Sequence, residues 1–197
     1  MCRLRLSRSK PVVALLFGSF NPIHEGHMAI LRYLVSQTRA AEVRLVVSPQ
    51  SPFKQGQGLL DNAEERLENA RKAVAEAGLD VTVSDVEFHL PPPRYTIDTL
   101  RYLQQTEPGR RFVLVMGGDN IASLESWHKG GEILRDFEIW VYPRPGYEAA
   151  SVCARFNAQP DVRGVTLFED VPLNDISSTE IRRRAAEGEK KDAREDF

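Results

Sequence analysis

Short apolar segments that alternate with helical patterns constrain the fold of this chain more than any other feature. The segments are rich in β-branched and aromatic side chains, and they fall at residues 12–17, 43–47, 81–88, 112–116, 137–142 and 165–168. Runs of this kind predict β-strands. Because helical patterns separate them, the sequence predicts an α/β fold with a doubly wound parallel sheet in a single domain. The ligand site of such a sheet lies beyond the carboxyl ends of its strands.

Four helices are predicted between and after these strands. The first covers residues 27–37, the second opens at Asp61 with a capping box and stops at Gly78, and the third follows the prolines at 91–93. The last begins at Ser177, which pairs with Glu180 in capping-box spacing, and closes at Gly188. The buried faces of the first three are predicted to be Ile30, Leu31, Leu34 and Val35; Leu67, Ala70, Val74 and Ala77; and Ile97, Leu100 and Leu103.

Length and charge limit the class of protein. The 197 residues suit one domain, which we place at residues 12–188, with a basic tail at 1–11 and a charged tail at 189–197. A net charge of −2 argues against a nucleic-acid partner. The longest strongly apolar run is far too short to cross a membrane, and two cysteines build neither a disulfide framework nor a cysteine-based zinc site. A reducing cytoplasm is the expected location.

A loop with two glycines and two histidines joins the first predicted strand to the first predicted helix. It reads Gly-Ser-Phe-Asn-Pro-Ile-His-Glu-Gly-His from Gly18 onward. Backbone N–H groups and the helix dipole attract anions at such a junction, and Gly18 and Gly26 allow the backbone to approach a phosphate. His24 and His27 can direct imidazole donors at the same phosphate. Two histidines also suit a metal ion, but Glu25, the one further ligand nearby, points elsewhere if the helix begins at His27.

A second anion site is indicated by the sequence Asp-Ile-Ser-Ser-Thr-Glu-Ile-Arg at residues 175–182. Hydroxyl groups and free N–H groups at a helix N-terminus, with an arginine one turn in, suit a polyphosphate. Consecutive helical residues are turned by about 100°, so only one arginine of the run 182–184 shares the serine face. We assign Arg182 to it. A capping box followed by solvated arginines is the structural alternative.

Together the two motifs resemble the nucleotidyltransferases with the His-x-x-His signature, and more narrowly the bacterial nicotinate-nucleotide adenylyltransferases. Between the two motifs lie four further segments in the order that this family shows, namely Ser-Pro-Phe-Lys at 51–54, Tyr-Thr-Ile-Asp-Thr-Leu at 95–100, Met-Gly-Gly-Asp-Asn at 116–120, and Trp127. The resemblance spans residues 12–184 and implies a Rossmann-like nucleotidyltransferase fold.

The resemblance also implies a reaction. The family transfers the adenylyl group of ATP to nicotinate mononucleotide, giving nicotinate adenine dinucleotide and pyrophosphate in NAD biosynthesis, with Mg²⁺ carried on the phosphates. The attacking phosphate is already ionised near neutral pH, so catalysis reduces to positioning and charge stabilisation. His24 and His27 are the implied catalytic residues. The implied ATP-binding residues are Gly18, Ser19, Phe20, Gly26, Lys54, Ile176, Ser177, Ser178 and Arg182.

For the pyridine nucleotide the resemblance implies Thr96, Asp119, Trp127 and His128. In the family, backbone N–H groups beside the tryptophan are thought to hold the nicotinate carboxylate while the indole stacks on the ring. Structural alternatives remain open from the sequence, in which Thr96 and Asp119 cap helices and Trp127 is a core aromatic.

Two rival functions are considered. Phosphopantetheine adenylyltransferases share the first loop but lack the Tyr-Thr-Ile-Asp-Thr and tryptophan segments. A non-catalytic nucleotide-binding sensor could use the same fold. The sequence departs from the common family pattern at Asn21 and Phe53, where many members have aspartate and histidine. It leaves open whether the chain is a monomer or a homo-oligomer.

Overall fold

The computed structural model describes residues 9–49 and 63–172, and this part of the chain alternates strands and helices. The strands are β1 Val12–Gly18, β2 Glu42–Val47, β3 Thr82–Ser84, β4 Arg111–Gly117, β5 Glu138–Tyr142 and β6 Val165–Leu167. The α-helices are α1 Glu25–Gln37, α2 Ala63–Glu76, α3 Thr96–Thr106, α4 Gly118–Ser123, α5 Gly130–Asp136 and α6 Ala149–Asn157. The same described residues contain 3₁₀ helices at Val86–His89 and Leu124–Ser126.

The six strands form one sheet in the order β3-β2-β1-β4-β5-β6, and every neighbouring pair is parallel. This is the strand order of the Rossmann fold, in which the direction of winding reverses between β1 and β4. The predicted parallel α/β sheet is therefore confirmed. Ligands of such sheets bind at the carboxyl ends of the strands beside this switch point, which here means the segments that follow Gly18 and Gly117.

Helices cover both faces of the sheet. Successive residues of β1 alternate between two apolar clusters, because strand side chains point to opposite faces. Val13 and Leu15 pack with α3 to α6, whereas Ala14 and Leu16 pack with α1 and α2. None of the helices within the described residues is long and apolar enough to span a membrane.

Three helix predictions fall within the described residues. Helix α3 buries the predicted Ile97, Leu100 and Leu103. The predicted start of α1 at His27 is wrong, because the helix begins at Glu25, and Val35 on its predicted buried face is exposed. Helix α2 ends at Glu76, so the predicted buried face does not extend to Ala77, which is exposed. Gly78 follows with a φ of +61°. The predicted opening at Asp61 and the last predicted helix lie outside the described residues.

Five predicted strands match the structure to within one residue at each end, but the segment 81–88 does not. Strand β3 stops at Ser84, and a 3₁₀ helix follows it. The reason is that β2, the strand that pairs with β3, ends at Val47, one residue beyond the partner of Ser84. The chain therefore turns inward and buries Glu87.

Candidate active site

The candidate active site begins where β1 leads into α1, and a histidine caps that helix. His24 is the N-cap residue, and its Nδ1 accepts a hydrogen bond from the Gly26 N–H at 3.1 Å. In return, the His27 Nδ1 accepts from the His24 N–H at 3.3 Å. Two imidazoles thus build a reciprocal capping box, a device usually made by a serine or threonine with a glutamate. The Gly26 N–H therefore serves the helix cap, and the predicted contact of Gly26 with ATP stays a prediction.

This cap fixes which nitrogen of each histidine carries the proton. Since both Nδ1 atoms accept hydrogen bonds, a neutral ring must carry its proton on Nε2. The Nε2 of His24 is buried and has no hydrogen-bond partner within the described residues. The two rings lie 3.8 Å apart between centroids with a 32° tilt. The loop therefore holds two N–H donors side by side.

The environment of the histidines keeps both rings neutral. Burial lowers the pKa of His24 below its ordinary value, and the Arg144 guanidinium lowers it further. Burial, then the neighbouring His24, then Arg144 lower the pKa of His27 to about 3. At neutral pH the pair therefore acts as two uncharged hydrogen-bond donors.

A phenylalanine in an unusual conformation supports the histidine pair. Phe20 has a φ of +45°, in a region of backbone conformation that residues other than glycine rarely adopt. Its buried ring meets the His27 ring edge-on, with centroids 5.0 Å apart. A Cβ on Gly18 would lie 2.9 Å from this ring, so glycine is needed there to admit the Phe20 ring. The predicted contact of Gly18, Ser19 and Phe20 with ATP stays a prediction.

The second segment at this edge follows β4 and carries Asp119. Gly117 is the N-cap of α4, and a Cβ on it would lie 2.4 Å from the Asp119 Oδ1. That oxygen is buried and has no hydrogen-bond partner in the described part of the chain. The Arg144 Nε lies 3.8 Å from it and forms an ion pair with this carboxylate. The alternative that Asp119 caps α4 is wrong, because no side chain caps this helix.

Arg144 was not singled out by the sequence analysis. It lies two residues after β5 and acts on both histidines and on Asp119, so it joins the segments that follow β1 and β4. A charged residue within two positions of the end of a predicted strand of a parallel sheet is the signal that could have found it.

The residues assigned to the pyridine nucleotide come from two further segments. Thr96 is the first residue of α3, and the alternative that it caps this helix is wrong, because the N-cap is Tyr95. The Tyr95 ring stacks on His128 at 4.0 Å, which brings the start of α3 to the turn at 127–128.

Trp127 is half-buried against the core, and its Nε1 lies 3.3 Å from the Ser123 Oγ. Its own N–H donates to the Leu124 carbonyl at 3.0 Å, whereas the His128 N–H has no backbone acceptor among the residues described. His128 therefore supplies a backbone donor at this turn. The predicted site residues Lys54, Ile176, Ser177, Ser178 and Arg182 lie outside the described residues.

Comparisons with known proteins show the family to which this chain belongs. The cytidylyltransferase-like family, a class of nucleotidyltransferases, matches residues 15–184. A protein of Cytophaga hutchinsonii named "probable nicotinate-nucleotide adenylyltransferase" is 40% identical over 170 residues, or 86% of this chain and 83% of that protein. A protein of the same name from Bacteroides thetaiotaomicron is 38% identical over 97% of this chain and 89% of its own length. The chain therefore belongs to the nicotinate-nucleotide adenylyltransferase family.

A solved structure supports the fold. The nicotinic acid mononucleotide adenylyltransferase of Plasmodium falciparum, complexed with NaAD, superposes with a TM-score of 0.74 over 88% of this chain and 83% of that one. At 19% sequence identity this likeness concerns the fold alone.

Proposed function

We propose that this chain transfers the adenylyl group of ATP to nicotinate mononucleotide, giving nicotinate adenine dinucleotide and pyrophosphate, at the sheet edge around His24 and His27. The observation that carries the proposal is the neutral histidine pair, with Nδ1 held by the helix start and the Nε2 of His24 buried without a partner among the described residues. Such donors suit a phosphate oxygen that gains charge during the reaction. Family membership supplies the identity of the substrates.

The chemistry requires no general base. An oxygen of the mononucleotide phosphate attacks the α-phosphorus of ATP, and a new oxygen–phosphorus bond forms. The bond from the α-phosphorus to the oxygen that bridges to the β-phosphate breaks, and pyrophosphate leaves with that electron pair. His24 and His27 would donate to the α- and β-phosphate oxygens. Arg144 would place a positive charge beside them.

The remaining phosphate contacts are assigned from the family pattern. Ser178 and Arg182 would hold the β- and γ-phosphates together with Ile176 and Ser177, and Lys54 would lie nearby. Mg²⁺ prefers oxygen ligands, and the described residues contain no group of three His, Cys, Asp or Glu side chains placed to hold a metal ion. As the family pattern implies, Mg²⁺ would arrive on the phosphate oxygens of ATP and offset their charge.

Selection of the acid over the amide would depend on the turn at Trp127 and His128. A backbone N–H that faces a carboxylate forms a charge-assisted hydrogen bond, whereas one that faces an amide NH₂ is left unpaired at a cost of about 1–3 kcal/mol. Because the Trp127 N–H already donates to Leu124, the His128 N–H is the donor that we assign to the carboxylate. One such donor corresponds to a preference of roughly tenfold or more.

The test is a pyrophosphate-release assay with ATP and three acceptors: nicotinate mononucleotide, nicotinamide mononucleotide and phosphopantetheine. We expect the highest kcat/KM for nicotinate mononucleotide, at least about tenfold above the amide. Trp127→Ala should raise the KM for the pyridine nucleotide with little change in the KM for ATP. Turnover of phosphopantetheine alone, or nucleotide binding without pyrophosphate release, would support one of the rival functions instead.

We also propose that the protein acts in the cytoplasm, which the free, buried thiol of Cys153 supports.

A further inference from the structure

A buried arginine behind the active-site loop has no role in the reaction as described above. Arg66 lies on α2, and 3% of its surface is exposed. Burying a guanidinium is costly unless its N–H groups find acceptors. Arg71, the other arginine of α2, shows no such burial, since its side chain is 46% exposed.

Three described acceptors of Arg66 belong to two different loops at the carboxyl edge of the sheet. Its Nη1 donates to the carbonyl oxygen of Ser19, and to that of Ser48 at 3.0 Å. Its Nη2 donates to the carbonyl oxygen of Pro49 at 2.8 Å. A single planar guanidinium therefore ties the loop after β1 to the loop after β2.

The bond to Ser19 acts on the peptide group that determines the conformation of Phe20. The Ser19 carbonyl belongs to the peptide that joins Ser19 to Phe20, so its direction is linked to the φ of Phe20. That φ is +45°, a conformation that persists only where the surroundings hold it. The ring of Phe20 in turn meets the His27 ring edge-on at 5.0 Å.

We propose that Arg66 is a positioning residue for the histidine pair, which acts by holding the Ser19 carbonyl, and through it Phe20, so that His27 keeps its orientation. The proposal rests on the proposed function for its effect on catalysis. It requires the forked geometry of arginine, because a lysine ammonium cannot reach acceptors on two loops in the same planar arrangement.

The decisive variants are Arg66→Lys, which keeps the charge but loses the fork, and Phe20→Leu, which keeps an apolar side chain but removes the ring. Each should lower kcat by about 10- to 100-fold, because small misplacements of a catalytic group are costly, while the KM for nicotinate mononucleotide changes little. The double variant should cost no more than the worse single variant, because the two residues act through one path. Arg71→Lys on the same helix is the matched control and should leave kcat unchanged.

A spectroscopic signal separates positioning from general destabilisation. The imidazole resonances of His27 feel the ring current of Phe20, so both variants should shift them, whereas Arg71→Lys should not. Kinetics are measured at a temperature at which thermal unfolding shows each variant to be folded. If Arg66→Lys does not fold at any usable temperature, Phe20→Leu still tests the contact with His27.

Several results would overturn the proposal. They are an unchanged kcat or unchanged His27 resonances in either folded variant, or fully additive losses in the double variant. Failure of the proposed function would give a different result. If the wild type were inactive but the variants still shifted the His27 resonances, the proposed activity would be contradicted and the positioning role of Arg66 would be retained.

Discussion

At the scale of single residues, His24 and His27 each do two things with the two nitrogens of one ring. Nδ1 completes the capping box of α1, and Nε2 carries the proton that we propose is donated to a phosphate. Structure and chemistry can therefore be separated by substitutions that keep the acceptor and remove the donor.

We predict that His24→Ser lowers kcat by about 10²- to 10³-fold and leaves the melting temperature close to that of the wild type. Serine caps helices well but does not reach a phosphate from this position. His24→Ala should lose the same activity and also about 1 kcal/mol of stability, because it removes the cap. His89, whose side chain is 74% exposed, provides the control His89→Ala, with no expected effect. Steady-state kinetics and thermal unfolding measure both effects, and near-normal turnover of His24→Ser would contradict the donor role.

The lowered pKa values of the two histidines predict a pH dependence of stability. The pKa of His27 is about 3 in the folded protein against 6.5 for an ordinary histidine, so below pH 6.5 the unfolded chain binds more protons than the folded one. The free energy of unfolding should therefore be fully retained above pH 6.5 and fall as the pH decreases toward 3.

Denaturant unfolding at pH values of about 7.5, 6.5 and 5.5 tests this prediction. The carboxylates of Glu42 and Glu107, with pKa values below 4.5, hardly titrate in that range. His27→Asn should flatten the dependence, whereas the exposed control His89→Asn should not. A His27 pKa near 6.5 by NMR would contradict the prediction.

At the scale of elements, the start of α5 shows how close packing decides the effect of a substitution. Gly130 and Gly131 are adjacent in this first turn, and Gly130 is buried whereas Gly131 is exposed. A Cβ on Gly130 would lie 1.9 Å from the carbonyl oxygen of Leu124, whereas a Cβ on Gly131 would meet nothing within 4 Å.

We predict opposite effects for alanine at these neighbouring positions. Gly131→Ala should stabilise the protein by about 0.4–1 kcal/mol, because it reduces the entropy of the unfolded chain without strain. Gly130→Ala should destabilise it by about 1–3 kcal/mol, because backbone must move to admit the methyl group. The Leu124 turn leads into Trp127, so Gly130→Ala should also raise the KM for the pyridine nucleotide. Denaturant unfolding of the two variants measures the difference, and equal effects would contradict it.

At the scale of the whole molecule, the candidate active site and a cluster of ion pairs lie toward opposite ends of the strands. The carboxyl ends carry the histidines, Asp119 and Arg144. Near the amino ends, Arg44 bonds Glu42 at 2.5 Å and Glu107 at 2.6 Å, so one arginine joins β2 to the end of α3.

We predict that Arg44→Met lowers the free energy of unfolding by about 1–3 kcal/mol, because it removes the Arg44 hydrogen bonds from two partly buried carboxylates and leaves them with Arg110 as their remaining described partner. The kcat and KM values should stay those of the wild type, because Arg44 lies toward the other end of the strands. Equilibrium unfolding measures the stability, and steady-state kinetics measure kcat and KM. A loss of kcat in the folded variant would contradict the expectation that Arg44 affects stability alone.

The local pattern of the sequence was sufficient for much of the fold and for part of the site. The alternation of apolar runs and helical stripes predicted the parallel sheet, because strand and helix periods depend on neighbours along the chain. The same alternation set Gly18 and Asp119 at the carboxyl edge, and the glycine–histidine loop indicated an anion site there.

Only the tertiary structure decided the features that depend on partners far apart in the sequence. The end of β3 depends on where β2 stops, and the buried Glu87 follows from it. Arg144 meets Asp119 only because β4 and β5 are neighbours in the sheet. The local sequence does not distinguish Arg66 from an exposed helical arginine. It is buried because the loops after β1 and β2 present their carbonyl groups to it. The sequence by itself specified elements and their chemistry, whereas burial and pairing arose from packing between distant segments.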